Sequence, residues 1–369
     1  MIRHHKKMKM RILLLTSDAF GGHGGIAQYN RDLLTALSAM ADVEEIVAIP
    51  RLAPLSVGDL PPKLAYHAEG VGGKARYVRT VLKVLRGRFD LVICGHINLL
   101  PLAWLASVKT HTPLVLLVYG IDVWQPHESM LTRALLRRVD TVWSISEITR
   151  DKMAAWSKVA VERFHLLPNA IALDRYGMAP KDATLVARYG LVGRKVMMIL
   201  ARLVSAERYK GVDELLEIMP DLLAREPELV FLVAGDGNDR PRLEAKAKAL
   251  GISDRVVFAG YVPESEKVAH YRLADAFVMP GRCEGFGFVF LEAMACGVPV
   301  VASTLDGSRE AVRFGMLGQM VNPDDRTALV QAVIRALSTE KGIPEGLEYF
   351  SFANFQSRLQ ALVVATISK

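Results

Sequence analysis

The feature that most restricts how this chain can fold is an alternation written out twice. In the first half, short continuous apolar runs occupy 11–17, 43–50, 89–95, 114–119, 139–145 and 164–168, with helical spacing over 26–40 and elsewhere between runs. The second half repeats the plan. Apolar runs lie at 196–201, 229–234, 256–259, 276–280, 299–303 and 318–321, and helical periodicity marks 213–223, 240–250, 265–273, 289–295 and 325–337. An unbroken apolar run suits a strand buried on both faces of a parallel sheet, and alternation with helices makes βαβ units. With 369 residues, 51% of them hydrophobic, the chain is long enough for two cores and too apolar for disorder. We therefore expect an α/β protein of two doubly wound parallel-sheet domains, divided near 169–176, where LLPNAIALDRY leaves a strand for a turn-rich stretch. Ligands of such sheets sit at the carboxyl ends of the strands, so the natural site is a cleft between the domains.

Several classes are excluded. No apolar run reaches the ~18 residues of a membrane span; the best candidate, 97–108, stops at Lys109. The basic opening MIRHHKKMKM precedes an apolar run, but Asp18 and a glycine cluster stand where a signal peptide needs small residues for cleavage, so a cytoplasmic protein is expected. Cys94, Cys283 and Cys296 are odd in number and lie in apolar settings, which fits neither a disulfide framework nor a zinc site.

Charge is uneven. Residues 1–170 carry 22 Lys and Arg against 14 Asp and Glu, a net +8, while 171–369 carry 24 against 25. The basic excess of the first half points to an anionic partner or simply to a soluble basic surface. It is concentrated between Gly73 and Phe89. There Val78, Val81, Leu82 and Leu85 share helical spacing, and Lys74, Arg76, Arg79, Lys83, Arg86 and Arg88 fill much of the rest, without an acid. Such a helix either lies on an anionic membrane surface or buries its stripe in its own domain. No aromatic-interleaved basic motif suggests nucleic acid.

Three motifs carry chemistry. Gly21-Gly22-His23-Gly24-Gly25 opens a helix whose free N–H groups suit a phosphate. Gly22, Gly24 and Ala27 formally fit the dinucleotide fingerprint, but Asp18-Ala19-Phe20 intervene after the strand and no acid closes the second strand. A flexible turn is the plain alternative. Arg202 follows one strand and Lys210 precedes a helix, so two cations stand at a sheet edge and can hold a pyrophosphate, although surface Arg and Lys are common. In CEGFGFVFLEAMACGVPVVA, Glu284 projects from a glycine loop, and Phe286, Gly287 and Phe288 present amides at a helix start. Glu292 lies inside the apolar helix and needs a partner, either a salt bridge or a ribose diol.

The E-x-x-x-x-x-x-x-E arrangement enclosing G-F-G resembles the large retaining glycosyltransferase family of the GT-B fold. That family includes bacterial mannosyl-, glucosyl- and N-acetylglucosaminyltransferases. GGIxxY, LLPNAI, ARL followed by YKG, VAGDG, FAGYV and the glutamate motif occur in family order along nearly the whole chain. The resemblance implies an acceptor-binding Rossmann-like domain over 1–172 and a nucleotide-sugar-binding one over 173–345, facing across a cleft. A C-terminal helix within 346–369 would cross back onto the first domain.

By the same resemblance, Gly24 and Gly25 approach the donor phosphate and sugar. Arg202 and Lys210 neutralise the diphosphate, and Glu284 binds hydroxyls of the transferred sugar. The amides of Phe286, Gly287 and Phe288 contact sugar or phosphate, Glu292 takes the ribose hydroxyls, and Gly235, Tyr261 and Val262 line the nucleoside pocket. The family often has His-Gly-x-Asp after a strand of the first domain; here it reads Tyr119-Gly120-Ile121-Asp122. Tyr119 would supply an O–H donor instead, and Asp122 would serve as base, sugar contact or cap. His96 ends another strand, as a packed side chain or a contributor.

The implied reaction is metal-independent, front-face hexosyl transfer with retention. The donor is a nucleotide diphosphate sugar as co-substrate, GDP-mannose ahead of UDP-sugars, and the acceptor is a glycan or lipid-linked hydroxyl. The chain has no D-x-D and calls for no cofactor. A sugar-nucleotide epimerase of the same fold and a non-catalytic sugar-nucleotide-binding protein are the alternatives.

Overall fold

The computed structural model describes residues 9–368, so the basic opening up to Met8 lies outside the described residues. The chain forms two units, one built from the chain up to Ala170 plus the segment from Phe352 on, the other from Ile171–Ser351.

In the first unit the order is β1 (Met10–Thr16), α1 (Gly24–Ala39), β2 (Val43–Pro50), β3 (Leu64–Tyr66), α2 (Lys74–Val84) and β4 (Leu91–Gly95). It continues through α3 (Leu100–Thr110), β5 (Leu114–Val118), α4 (Met130–Leu135), β6 (Thr141–Ser144), α5 (Glu147–Ser157) and β7 (Phe164–Leu166). In the second, α6 (Ala183–Arg188) precedes β8 (Lys195–Leu200), α7 (Val212–Leu223), β9 (Leu229–Ala234), α8 (Arg240–Ala249) and β10 (Val256–Gly260). Then come α9 (Glu264–Leu273), β11 (Ala276–Val278), α10 (Phe288–Ala295), β12 (Val300–Ser303), α11 (Ser308–Ala311), β13 (Gln319–Val321) and α12 (Arg326–Ser338). The last helix, α13 (Phe352–Ile367), belongs to the first unit.

Among the described residues the first sheet has strand order β3-β2-β1-β4-β5-β6-β7 and the second β10-β9-β8-β11-β12-β13. All the pairings within both are parallel. In each sheet the order reverses once, between β1 and β4 and between β8 and β11. Loops leaving the strands there diverge to opposite faces and open a crevice. The expected two doubly wound sheets are thus present. The central strands are fully buried, Ile12 to Leu15 and Phe231 to Ala234 being 0% exposed, which is why their apolar runs are continuous.

In the first unit Leu13, Leu15, Ile49 and Val92 face a core completed by α2, α3 and α4 through Tyr77, Val81, Leu85, Ala103 and Leu135. Ile12 and Leu14 alternate to the other face. On α1, Tyr29 packs edge-to-face on Phe355 of α13, ring centroids 5.8 Å apart, and Phe355, Leu359 and Val363 are buried.

Helix α2 departs from the sequence expectation. Val78, Val81, Leu82 and Leu85 do not form one buried stripe. Val81 and Leu85 are buried with Tyr77 and Thr80, whereas Val78 and Leu82 are 40% and 45% exposed. At about 100° per residue, Val78 and Leu82 lie beside the buried ridge rather than on it. The aromatic Tyr77 fills the inward position, donating its hydroxyl to Ile49 O at 3.1 Å.

Candidate functional site

The switch point of the second sheet brings two loops together. Leaving β8, the chain passes Ala201-Arg202-Leu203 and a 3₁₀ segment (Ser205–Lys210) before α7. Leaving β11, it runs through 279–287 into α10. The Arg282 N–H donates to Tyr209 O at 3.0 Å, and Gly211 packs so tightly on Pro280 that a Cβ would lie 2.8 Å from the Pro280 oxygen. This contact puts the Lys210 ammonium 2.5 Å from Glu284 Oε2, each side chain 19% exposed. Burial works against the Lys210 charge, but the Glu284 carboxylate, by charge and hydrogen bond, outweighs it and holds the ammonium pKa above its usual value.

The Glu284 loop is clamped from the end of β12. Asp306, 0% exposed, accepts the Glu284 N–H at 2.9 Å on one oxygen, and the Ser308 N–H at 3.0 Å and hydroxyl at 2.6 Å on the other. Its pKa is raised, burial outweighing these hydrogen bonds. The Gly307 N–H donates to Glu284 O at 2.8 Å. Reading the sequence missed Asp306 and Gly307; the Asp-Gly pair just past an apolar run was the available signal. Gly287 caps α10 with φ +96° and offers no side-chain cap, so the first-turn amides lack that partner. Phe286 is 1% exposed and packs on Phe350, so only its backbone is presented.

Arg202 stands apart from the pair. Its side chain is 76% exposed and held by Glu207, five residues on. The sequence expectation of two cations is met in position, but only Lys210 is enclosed. At the outer strands, Gly235 has φ +120° and a Cβ there would lie 1.9 Å from Ala201 O, so only glycine fits. Its N–H donates to Gly260 O at 2.8 Å, beside Tyr261 and Val262. Tyr261 is 69% exposed.

Glu292 is 6% exposed and already provided for within the protein. One carboxylate oxygen accepts from Lys267 Nζ at 2.8 Å and from the Tyr176 hydroxyl at 3.2 Å, the other from the Tyr271 hydroxyl at 2.6 Å. Three of roughly four acceptor sites are used. Of the two partners open at the sequence level, the salt bridge is present.

In the first unit, the turn after β1 is tied down by α1. Asn30, 0% exposed, donates to Thr16 Oγ1 at 2.8 Å and Asp18 O at 2.9 Å, and Arg31 donates to Ala19 O at 2.9 Å and Gly22 O at 3.1 Å. Gly24 and Gly25 open α1, whose N-cap His23 makes no side-chain cap. A Cβ on Gly24 would meet open space.

The expectation that Tyr119 offers an O–H donor is corrected. Its one hydroxyl proton goes to Asn30 Oδ1 at 2.8 Å, and its ring, 7% exposed, lies edge-on to Tyr29. Asp122 accepts the Tyr119 N–H at 3.3 Å, and burial pushes its pKa up to about 7 against the pull of that and neighbouring backbone N–H groups. His96 is a local cap, accepting the Asn98 N–H at 3.1 Å, its pKa lowered by burial and by His127.

A doubly wound sheet whose switch point encloses a lysine–carboxylate pair beside an uncapped helix start is the architecture of a nucleotide-binding α/β protein. The comparisons with known proteins narrow the class. Residues 190–349 match the family described as glycosyl transferases group 1, and residues 24–170 match the glycosyl transferase 4-like domain. The GDP-mannose-dependent alpha-(1-6)-phosphatidylinositol monomannoside mannosyltransferase of Mycolicibacterium smegmatis is 34% identical over 69% of this chain and 70% of its own length. The phosphatidyl-myo-inositol mannosyltransferase of the same organism is 26% identical over 90% of this chain and 86% of its own. The Anabaena protein HepE, solved with UDP, superposes with a TM-score of 0.77 at 19% identity, over 96% of this chain and all of that one. The chain belongs to the GT-B glycosyltransferases, and it is a glycosyltransferase using a nucleotide sugar.

Proposed function

We propose that this enzyme transfers a hexose, with retention, from a nucleotide diphosphate sugar to a hydroxyl of a lipid-linked or glycan acceptor, GDP-mannose being the first donor to test and UDP-sugars the second. The observation that carries this reading is the enclosed Lys210–Glu284 pair at the β8/β11 switch point. A diphosphate arriving there meets Lys210 and the bare first turn of α10, and charge developing on the leaving group is met by dipoles and a cation already in place. Glu284, released from Lys210, accepts hydroxyls of the sugar. Arg202 is exposed and free to swing from Glu207 onto the phosphates. The Gly235, Tyr261 and Val262 backbone would hold the nucleoside. Glu292 has one acceptor site left for a ribose hydroxyl while Lys267, Tyr176 and Tyr271 orient it.

In the proposed front-face step the acceptor oxygen bonds to the anomeric carbon on the side from which the phosphate oxygen leaves. The acceptor proton passes to that departing oxygen, so no protein nucleophile and no metal is invoked. The first unit would supply the acceptor site, with Asp122 past the end of β5, while Gly24 and Gly25 at the start of α1 would approach the donor phosphate and sugar. The donor preference and the lipid acceptor draw on the mannosyltransferases to which this chain is similar.

The test is a thermal-shift screen with GDP, UDP, ADP and their sugars. A ligand at 100 times its Kd adds about 2.7 kcal/mol, or roughly 5–10 °C for a unit of this size. One nucleotide should shift the wild type and fail to shift Lys210→Ala. NMR of the product then reads the anomeric configuration. No shift with any nucleotide, in folded protein, refutes the donor assignment, and an inverted product refutes retention.

A further inference from the structure

A lysine ammonium rides on a flexible stem of methylenes, so its aim depends on the backbone beneath it. Beneath Lys210 that backbone is a weak foundation. The 3₁₀ segment Ser205–Lys210 has a non-helical break at Glu207 (φ −118°, ψ 30°), ends against Gly211 and contains no buried residue. A 3₁₀ turn has poorer hydrogen-bond geometry than an α-helix. Without an apolar anchor, polar contacts have to hold the segment.

Those contacts come from the turn after β9. The Leu203 N–H donates to Asp236 O at 2.9 Å and the Asp239 N–H to Leu203 O at 2.8 Å. The Ser205 N–H donates to Asn238 Oδ1 at 2.9 Å. At the centre stands the Asp239 carboxylate, in a residue only 5% exposed. Arg208 donates from Nε to both of its oxygens at 3.2 Å and from Nη2 to Oδ1 at 2.9 Å. Arg242 of α8 holds the same carboxylate, Nε to Oδ1 at 2.9 Å and Nη2 to Oδ2 at 2.6 Å. It also reaches the Asp213 carboxylate of α7 at 2.7 and 2.6 Å. Lys210 lies in the chain between Arg208 and Asp213, so one network grips it from either side. Arg242 alone would keep Asp239 paired. Arg208 is 53% exposed, and an ion pair with so open a partner adds little to stability. What it adds is position.

We propose that Arg208 is a positioning residue for Lys210: strapped to Asp239, it fixes the backbone from which the ammonium reaches first Glu284 and then the donor diphosphate. Arg208 touches no phosphate itself, because its guanidinium fork is spent on Asp239. The inference deepens the donor-site reading and rests on it for the group that Lys210 binds. The contrary role, a second phosphate cation held in reserve by Asp239, makes the opposite prediction for an Asp239 variant.

Hydrogen exchange of the full chain, read by mass spectrometry with no nucleotide added, follows the strap by itself. In Arg208→Gln the stretch 203–209 should exchange roughly tenfold faster. Strand β8 and helix α7 should keep their protection and the melting temperature should stay near wild type, because Arg242 still holds Asp239. Calorimetric titration with GDP, or UDP if GDP is silent, then reads the lysine. Arg208→Gln should weaken binding about tenfold, and Arg208→Lys, which keeps the charge and loses the fork, by less. In a Lys210→Met background the same Arg208→Gln change should cost under about twofold, since groups that act through one another are not additive. A merely structural arginine would cost the same in both backgrounds. Asp239→Asn should weaken binding as Arg208→Gln does, whereas an arginine held in reserve for phosphate would be set free and tighten it. Unchanged exchange in Arg208→Gln, additive losses with Lys210→Met, or tighter binding by Asp239→Asn overturns the proposal. Faster exchange in a protein that binds no nucleoside diphosphate would leave the strap standing and refute the donor assignment instead.

Discussion

Glu284→Gln should strengthen binding of the free nucleoside diphosphate while impairing transfer. Lys210 is engaged by Glu284, and a diphosphate must break that pair to use the lysine. An exposed ion pair is worth about 0–1 kcal/mol and breaking a fully buried one costs about 3–5 kcal/mol. With both side chains 19% exposed, the pair lies between these limits, and we take about 1–2 kcal/mol. Glutamine keeps the shape and removes the charge, so Lys210 is released and the Kd for GDP, or for UDP if GDP is silent, should fall roughly 5- to 30-fold. Lys210→Met should move the other way, by about ten- to a hundredfold, because a charge-assisted hydrogen bond is lost. Calorimetric titration at fixed pH and ionic strength reads both. With the nucleotide sugar the Glu284→Gln advantage should vanish, since the carboxylate no longer receives sugar hydroxyls, and kcat should drop at least tenfold. If Glu284→Gln weakens nucleoside diphosphate binding as Lys210→Met does, the two groups do not compete and the reasoning fails.

Asp306→Ala strands the buried N–H groups of Glu284 and Ser308 and should cost about 2–5 kcal/mol in chemical denaturation; a variant as stable as wild type would show the clamp to be unnecessary. Tyr119→Phe leaves Asn30 Oδ1 without its donor and should cost about 1–2 kcal/mol with kcat nearly unchanged; a tenfold fall in kcat at unchanged stability would mean the hydroxyl touches substrate. Asp122 has its pKa raised by burial to about 7 in the fold, against 3.8. The native state therefore binds more protons than the unfolded chain between those values, and stability should fall as pH rises through that window, by a few kcal/mol in total. Asp122→Asn should flatten that part of the stability–pH curve, and an unchanged slope would reject the raised pKa.

What could be read from the chain follows from where residues sit. Strands such as β1 and β9 are buried on both faces, so their apolar runs are unbroken and legible. Strand β3 is three half-buried residues, Leu64–Tyr66, and leaves no period to find. Helix α2 was recognisable as a helix, but which ridge it buries was not, because inward Tyr77 and Thr80 replace aliphatics. At the site, Arg202, Lys210 and Glu284 were legible through motif order. The partners of Glu292 were not: Tyr176, Lys267 and Tyr271 meet it from distant points of the chain, and only folding brings them together. The hydroxyl of Tyr119 was misassigned because its acceptor, Asn30, lies on another element altogether.

The first unit is not a continuous stretch of polypeptide, since Phe352 onward completes it. During synthesis the ribosome delivers β1 to β7 long before α13, so the face of α1 that Tyr29 shares with Phe355 waits uncovered while the whole second unit emerges. The second unit, by contrast, is one uninterrupted segment and needs nothing made after Ser351. The half made first is therefore completed only after the second has been made, and until then the open face of α1 is what a chaperone would find.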